Sequence, residues 1–218
     1  ADMAQLSAGE FREVVRSGYD NGKYDEQFRS GPLGAFDKER LDSFFDVASQ
    51  KTPHPTIVDL GCGTGQPYDQ YLVERGCQLT GVDFSQRHIQ LARKALPGVQ
   101  FDCADMTTVD FTPNSLDGVL CLYSLFHLPR SEHKEMIRKV SQWLRPEGAF
   151  LVVMGTNDDE QFVTDDFVGA AMAWSSFAPQ VSETLLTECG LKIVDRKFEG
   201  NPGDDEHHYW LLCSKAVA

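Results

Sequence analysis

The stretch Thr56-Ile57-Val58-Asp59-Leu60-Gly61-Cys62-Gly63-Thr64-Gly65-Gln66-Pro67 constrains the fold of this chain more than any other. Its first five residues read as a short buried strand and Pro67 as the first residue of a helix. Between them, Gly61, Gly63 and Gly65 permit a tight turn and let a ligand lie against bare main chain. The helix start beyond supplies N–H groups with no partner inside the helix. The glycines follow G-x-G-x-G, with Gln66 where the third glycine of G-x-G-x-x-G would stand. Asp59 just ahead of the turn would repel a pyrophosphate, whereas it suits a cation such as an amino acid's ammonium group.

The rest of the chain alternates strands and helices around that unit. Residues 78–84 form a second strand ending in Asp83, about one βαβ unit beyond the loop, where such folds place an acid on ribose hydroxyls. A carboxylate accepts bonds from both hydroxyls, and Phe84 can pack on an adenine. Ser85 caps the next helix, which Pro97-Gly98 ends. Residues 99–106 give a third strand closing on Asp105 and Met106. Residues 116–124 give a fourth strand, followed by the turn Leu125-Phe126-His127-Leu128-Pro129. Ligands of open parallel sheets bind at these strand ends. After a helix over 131–144 comes a fifth strand at 149–154. Residues 155–178 read as an insertion, acidic at first and apolar from Phe167 to Phe177, which suits either a pocket wall or an ordinary packing helix. A helix at 180–189 and two strand-like stretches, 191–198 and 207–215, complete the chain. The polar turn 199–206 joins those two as an antiparallel hairpin at the sheet edge. Upstream, Ser7 with Glu10 predicts a capped helix over 7–16, and residues 36–50 predict an amphipathic one. The expectation is one α/β domain over 1–218, built on a seven-stranded, mostly parallel sheet with helices on both faces and a reversed C-terminal strand.

At this point the chain resembles the class I S-adenosylmethionine (AdoMet) methyltransferases. Four segments carry the likeness in the right order: Asp59 to Gly65 in the family's E/D-x-G-x-G-x-G form, Asp83, Asp105, and the fourth strand with its turn at 117–129. Leu144-Arg145-Pro146-Glu147-Gly148 is similar to the family's L-[KR]-P-G-G, with Glu147 in place of the first glycine. The resemblance implies AdoMet as cofactor and S-adenosylhomocysteine (AdoHcy) as product. It implies cofactor contacts at Tyr24, Asp59, Gly61, Gly63, Gly65, Asp83, Phe84, Asp105, Met106 and Leu122, with Asp105 accepting the adenine amino group. It also implies that residues 1–35 fold over the cofactor as a lid, making Tyr19 and Tyr24 candidates there. Tyr19, Tyr123 and Trp174 are the expected substrate contacts. His127 is the candidate general base, since it follows the fourth strand and histidine titrates near neutrality. The alternative is a histidine that fixes the turn. The pair His207-His208 is expected to be structural.

Charge and composition narrow the partners. The net charge of −13 and pI near 4.8 oppose docking on nucleic-acid phosphates or anionic membranes, which want clustered Lys and Arg. No apolar run reaches transmembrane length. Six cysteines without a C-x-x-C pair suit reduced thiols in a cytoplasmic protein, and no metal is expected. A small-molecule acceptor, with the enzyme a monomer or homodimer, is the leading expectation. Its rivals are a protein or RNA acceptor, a non-catalytic AdoMet-binding regulator, and an NAD oxidoreductase.

Overall fold

A computed structural model describes residues 5–21, 23–28, 31–200 and 207–217. Its centre is a seven-stranded sheet: β1 (Thr56–Leu60), β2 (Gln78–Asp83), β3 (Gln100–Cys103), β4 (Leu116–Cys121), β5 (Leu144–Gly155), β8 (Leu191–Glu199) and β9 (His208–Lys215), with a hairpin, β6 (Phe162–Phe167) and β7 (Ala170–Trp174), standing apart. The order across the sheet is β3-β2-β1-β4-β5-β9-β8. The first five strands are parallel, while β9 runs antiparallel to both β5 and β8. From β1 the chain steps outward to β2 and β3, then returns to the far side of β1 as β4. That reversal opens a crevice at the carboxyl ends of β1 and β4.

Side chains alternate across the strands, so each strand feeds two cores. Val58, Leu60, Val119 and Phe150 pack on one face with Ile137, Val140 and Trp143 of α6 (Arg130–Trp143) and Leu186 of α7 (Pro179–Glu188). Ile57, Leu120, Leu151 and Trp210 pack on the other with Leu41 and Phe44 of α3 (Ala35–Ala48) and Leu72 of α4 (Tyr68–Glu74). Helix α5 (Gln86–Ala95) joins that second face through Ile89 and Ala92, over Phe101. Each such large apolar side chain contributes about 1.5–3 kcal/mol on burial. Gly118 lets α3 settle on β4, since a Cβ there would lie 2.6 Å from the Phe44 ring.

The N-terminal helices are α1 (Ala8–Asn21) and α2 (Tyr24–Phe28). The Ser7–Glu10 cap forms as expected: Ser7 N–H and Oγ–H both donate to Glu10 Oε2, at 2.9 and 2.6 Å. Helix α1 runs five residues past the expected end because its apolar face, Phe11 and Val15, is covered by Met172 and Ala173 of β7. Gly18 permits the approach; a Cβ there would sit 2.5 Å from the Ala171 carbonyl oxygen.

Three expectations are corrected. The apolar tract within 155–178 is a β-hairpin, not a packing helix: Val163 and Thr164 favour extended backbone. Val168 and Gly169 close the hairpin with φ of 56° and 85°, the two-residue turn that matches strand twist. The helix after the glycine turn begins at Tyr68, one residue beyond Pro67. Strand β5 begins at Leu144, so the Arg-Pro-Glu-Gly segment belongs to it, with Glu147 at φ 68° where the family pattern has glycine. Most of the turn 199–206 lies outside the described residues. No helix among the described residues is long and apolar enough to cross a membrane, and no described cysteine is in a disulfide.

Candidate functional site

The glycine turn is built into the sheet by its own main chain. Gly61 and Cys62 donate their N–H groups to the Val82 carbonyl, at 2.7 and 3.1 Å. Gly61, Gly63 and Gly65 all have positive φ, at 83°, 55° and 72°, yet their empty sides face different things. A Cβ on Gly61 would lie 2.3 Å from Ser124 Cβ, and one on Gly65 3.1 Å from Phe101. One on Gly63 would meet only His88 Nδ1, at 4.0 Å. Gly61 and Gly65 therefore serve packing, while Gly63 leaves bare main chain open. Ser124 holds the other side of the reversal, its Oγ–H donating to the Leu60 carbonyl at 2.6 Å.

Asp83 ties the turn to the second strand. Its Oδ2 accepts the Gly63 N–H at 2.8 Å and its Oδ1 the Ser85 N–H at 2.9 Å. Ser85 in turn caps α5 by accepting the His88 N–H. Each carboxylate oxygen keeps acceptor capacity beyond one such bond. Past β3, Asp105 accepts the Thr107 N–H and hydroxyl on Oδ1, at 2.8 and 2.7 Å, and faces Arg12 Nε with Oδ2 at 2.9 Å.

These groups border one crevice of about 580 Å³, open solvent at its mouth included. Of the residues expected from sequence, it is lined by Tyr19, Tyr24, Gly61, Gly63, Asp83, Phe84, Asp105, Met106, Tyr123 and His127. Asp59, Gly65, Leu122 and Trp174 do not line it. Asp59 is buried in β1, in register with Gly81 and Leu120. Leu122 turns its side chain into the core shared with Phe126 and Trp210. Trp174 backs the wall instead, its ring 5.8 Å from that of His127.

The sequence reading missed Arg12, His88 and Ser124, which also line the crevice. Arg12 has no local signature, because its partners Asp105 and Glu132 are remote in the chain. Ser124 falls inside the fourth-strand segment that carries the family likeness. The N-terminal helices are fastened over the crevice by further bonds: Ser85 Oγ–H donates to Asp20 Oδ1 at 2.6 Å, and Arg87 pairs with Asp25 at 2.9 Å.

His127 closes a 3₁₀ turn, Leu125–His127, after β4. Its Nδ1 lies 2.9 Å from the Ala173 carbonyl and its Nε2 2.7 Å from the Tyr19 hydroxyl. A carbonyl can only accept, so Nδ1 carries the proton and Nε2 accepts from Tyr19 O–H. Burial pushes this imidazole down to about 4, so it is neutral at physiological pH.

Tyr123, at φ 55°, donates its hydroxyl to Glu199 Oε2 at 2.7 Å. Trp210 Nε1–H donates to the same oxygen at 3.0 Å, and His208 Nδ1 lies 3.5 Å from it. Burial alone would raise the Glu199 carboxyl, but bonds from His208, Tyr123 and Trp210 outweigh it and hold it down at about 2. Burial raises the Tyr123 phenol. His208, expected to be structural, packs edge-on against Tyr123, with ring centroids 4.9 Å apart.

Known proteins fit this arrangement. A family model described as a methyltransferase domain matches residues 57–148. The methyltransferase GfsG of Streptomyces halstedii is 25% identical over 202 residues, covering 88% of this chain and 70% of that protein. The O-methyltransferase cnsE of Penicillium expansum is 31% identical over 149 residues, covering 64% of this chain and 52% of that protein. The chain thus spans 70% of the length of the first of these relatives and about half, 52%, of the second. Among solved structures, the 1,6-didemethyltoxoflavin-N1-methyltransferase of Burkholderia thailandensis superposes with a TM-score of 0.71 at 19% identity. That match covers 100% of this chain and 94% of the other.

Proposed function

We propose that the chain is a class I AdoMet-dependent methyltransferase, a reading supported by its likeness to a methyltransferase domain and to two methyltransferases, and that it transfers the methyl group of AdoMet to a small-molecule acceptor. The observation that carries the reading is the crevice at the β1–β4 reversal, where open main chain at Gly63 meets the carboxylate of Asp83. AdoMet, when bound, supplies a methyl group already activated on a sulfonium sulfur.

The residues present suit such a ligand. Asp83 would accept from ribose hydroxyls, and Asp105 with Met106 would hold the adenine, against Phe84. The side of the turn left open at Gly63 would receive the amino-acid portion. Asp59, buried beneath the turn, would act on the ammonium group through its field rather than by lining the crevice. Leu122 would contribute main chain only, because its side chain is in the core. Helices α1 and α2 would form the lid, with Tyr19 and Tyr24 on its inner side.

Methyl transfer is an in-line displacement, so alignment and exclusion of water do most of the work. Tyr19 and His127 can hold an acceptor's proton-bearing atom and receive its proton late in the reaction, at the Tyr19 oxygen with relay to Nε2. Tyr123 and Trp174 then shape the acceptor wall, one directly and one from behind. The net charge of −13 and the crevice favour a small molecule over RNA or protein. Calorimetric titration with AdoMet and with NAD tests the cofactor; heat with NAD alone would end the proposal. Incubation with methyl-labelled AdoMet and a fractionated metabolite extract tests the acceptor class, and label found only in macromolecules would refute it. Undiminished turnover by His127→Ala, with AdoMet binding unchanged, would remove the proton role.

A further inference from the structure

We propose that His88 is a further cofactor-binding residue, donating from Nδ1 to a ribose hydroxyl whose hydrogen Asp83 accepts. The inference rests on the methyl-transfer reading, with Asp83 at the ribose, and adds a residue to that site.

The main chain fixes where this imidazole can lie. Asp83 Oδ1 accepts the Ser85 N–H at 2.9 Å, and Ser85 Oγ accepts the His88 N–H at 3.1 Å. Two bonds thus tie the first turn of α5 to the acid that ends β2. Ile89 and Ala92 hold the same helix down over Phe101. The His88 side chain is only 3% exposed, yet it lines the crevice. The Tyr19 ring covers it, with centroids 5.3 Å apart.

A polar side chain buried this deeply ordinarily makes hydrogen bonds. The buried His127 and His133 each bond a main-chain carbonyl. Among the described residues, His88 Nε2 has no hydrogen-bond partner. Its Nδ1 stands 3.8 Å from Asp83 Oδ1, beyond hydrogen-bond length. In the neutral ring one nitrogen carries the hydrogen. On Nε2 that hydrogen would lack an acceptor. On Nδ1 it faces a carboxylate and the open side of Gly63, where a Cβ would lie 4.0 Å away. Nδ1 is therefore the donor.

A donor and an acceptor 3.8 Å apart leave room for one oxygen at about 2.8–3.0 Å from each. That oxygen must give a hydrogen to Asp83 and take one from His88. A carboxylate brings no hydrogen and would stand against the Asp83 charge. An ammonium group offers Nδ1 no lone pair. Of the polar groups of AdoMet, the ribose hydroxyls alone do both. Residues 83–88 thus supply both halves of one recognition pair, the acid closing a strand and the imidazole opening the next helix.

Calorimetric titration tests this with AdoHcy and its 2′-deoxy and 3′-deoxy counterparts. No binding of AdoHcy to the unaltered protein would take down the methyl-transfer reading and this inference with it. Given binding, His88→Leu should weaken AdoHcy about tenfold. One deoxy compound, the one lacking the bonded hydroxyl, should bind His88→Leu within about twofold of its affinity for the unaltered protein. His88→Asn sets an amide nitrogen near the place of Nδ1 and should bring AdoHcy back to within about threefold. Circular dichroism checks that each variant is folded; should His88→Leu not fold, His88→Phe, flat and without ring nitrogens, replaces it. Three results would overturn the proposal while leaving methyl transfer standing. They are AdoHcy bound as tightly without the imidazole, an equal loss for all three ligands, and a folded His88→Asn no better than His88→Leu.

Discussion

Asp83 and Tyr19 line the same crevice but are held there in different ways. Asp83 ends a strand paired on both sides, and main-chain N–H groups of Gly63 and Ser85 grip its two oxygens. Tyr19 sits on α1, which packs Phe11 and Val15 on β7 and, together with α2, is tied across the crevice by side chains: Arg12 to Asp105, Asp20 to Ser85, Asp25 of α2 to Arg87, and its own hydroxyl to His127. Main-chain anchoring makes a wall that cannot change without disturbing the sheet. Side-chain anchoring makes one that can loosen while the sheet stays intact. The cofactor wall is thus rigid by construction, and the acceptor wall adjustable.

The sharpest way to break that contrast lies in the glycine turn. In Gly61→Ala the new methyl would press on Ser124 at positive φ, and urea unfolding should register a loss of about 3 kcal/mol or more. Gly63→Ala has room, so its stability should fall by only about 1 kcal/mol for the strained φ. Its AdoMet affinity should nevertheless drop about tenfold or more, read by calorimetry. Normal AdoMet binding by Gly63→Ala would mean that the cofactor does not lie against the turn.

Asp83→Asn comes next in size. One anchoring bond becomes a clash of donors, and charge-assisted bonds of this kind contribute about 1.5–3 kcal/mol each. AdoMet affinity should fall by roughly 30-fold, with a measurable loss in melting temperature. A variant that binds normally would move the ribose end elsewhere.

The acceptor wall shares a pH response with helix α6 behind it. His127 in the acceptor wall and His133 in α6 are both pushed by burial down to about 4, each bonded to a main-chain carbonyl. In the unfolded chain they titrate near 6.5, so between about 6.5 and 4 unfolding takes up protons. Stability is therefore full above that window and falls as pH drops through it, by up to about 1.4 kcal/mol per pH unit for each histidine. Urea midpoints at a series of pH values should show the slope, and His127→Gln should remove about half of it. A flat profile would mean that neither imidazole is held neutral.

Arg12→Ala should have the smallest effect on the fold. Its ion pairs are about a quarter exposed, and pairs of that kind contribute less than about 1 kcal/mol. The expected outcome is a melting temperature shifted by no more than about 4 °C, together with faster protease cleavage within residues 5–28. Unfolding of the whole protein would show that the N-terminal helices are part of the core after all.

The same division separates what could be read in the sequence from what could not. Strands β1, β2, β3 and β5 announce themselves by apolar runs closed by glycines or acids, and the Ser7–Glu10 cap by its spacing alone, because those signals are local. Arg12 could not be found that way: its meaning comes from Asp105, 93 positions on. The hairpin of β6 and β7 was hidden by its own turn, since Val168 at φ 56° is a residue that rarely adopts left-handed backbone. Trp174, expected to touch substrate, does not line the crevice and packs against His127 instead. Glu147 kept its glycine-like conformation without being glycine, held beside Lys51 at 2.9 Å.

Strand β9 lies between β5 and β8 although it follows both in the chain. During synthesis, the growing chain must therefore carry β5 with one bare edge until residues 208–215 have left the ribosome. A nascent edge of that length invites pairing with a neighbouring chain, so a ribosome pause just before β9 would be expected to raise aggregation and dependence on chaperones.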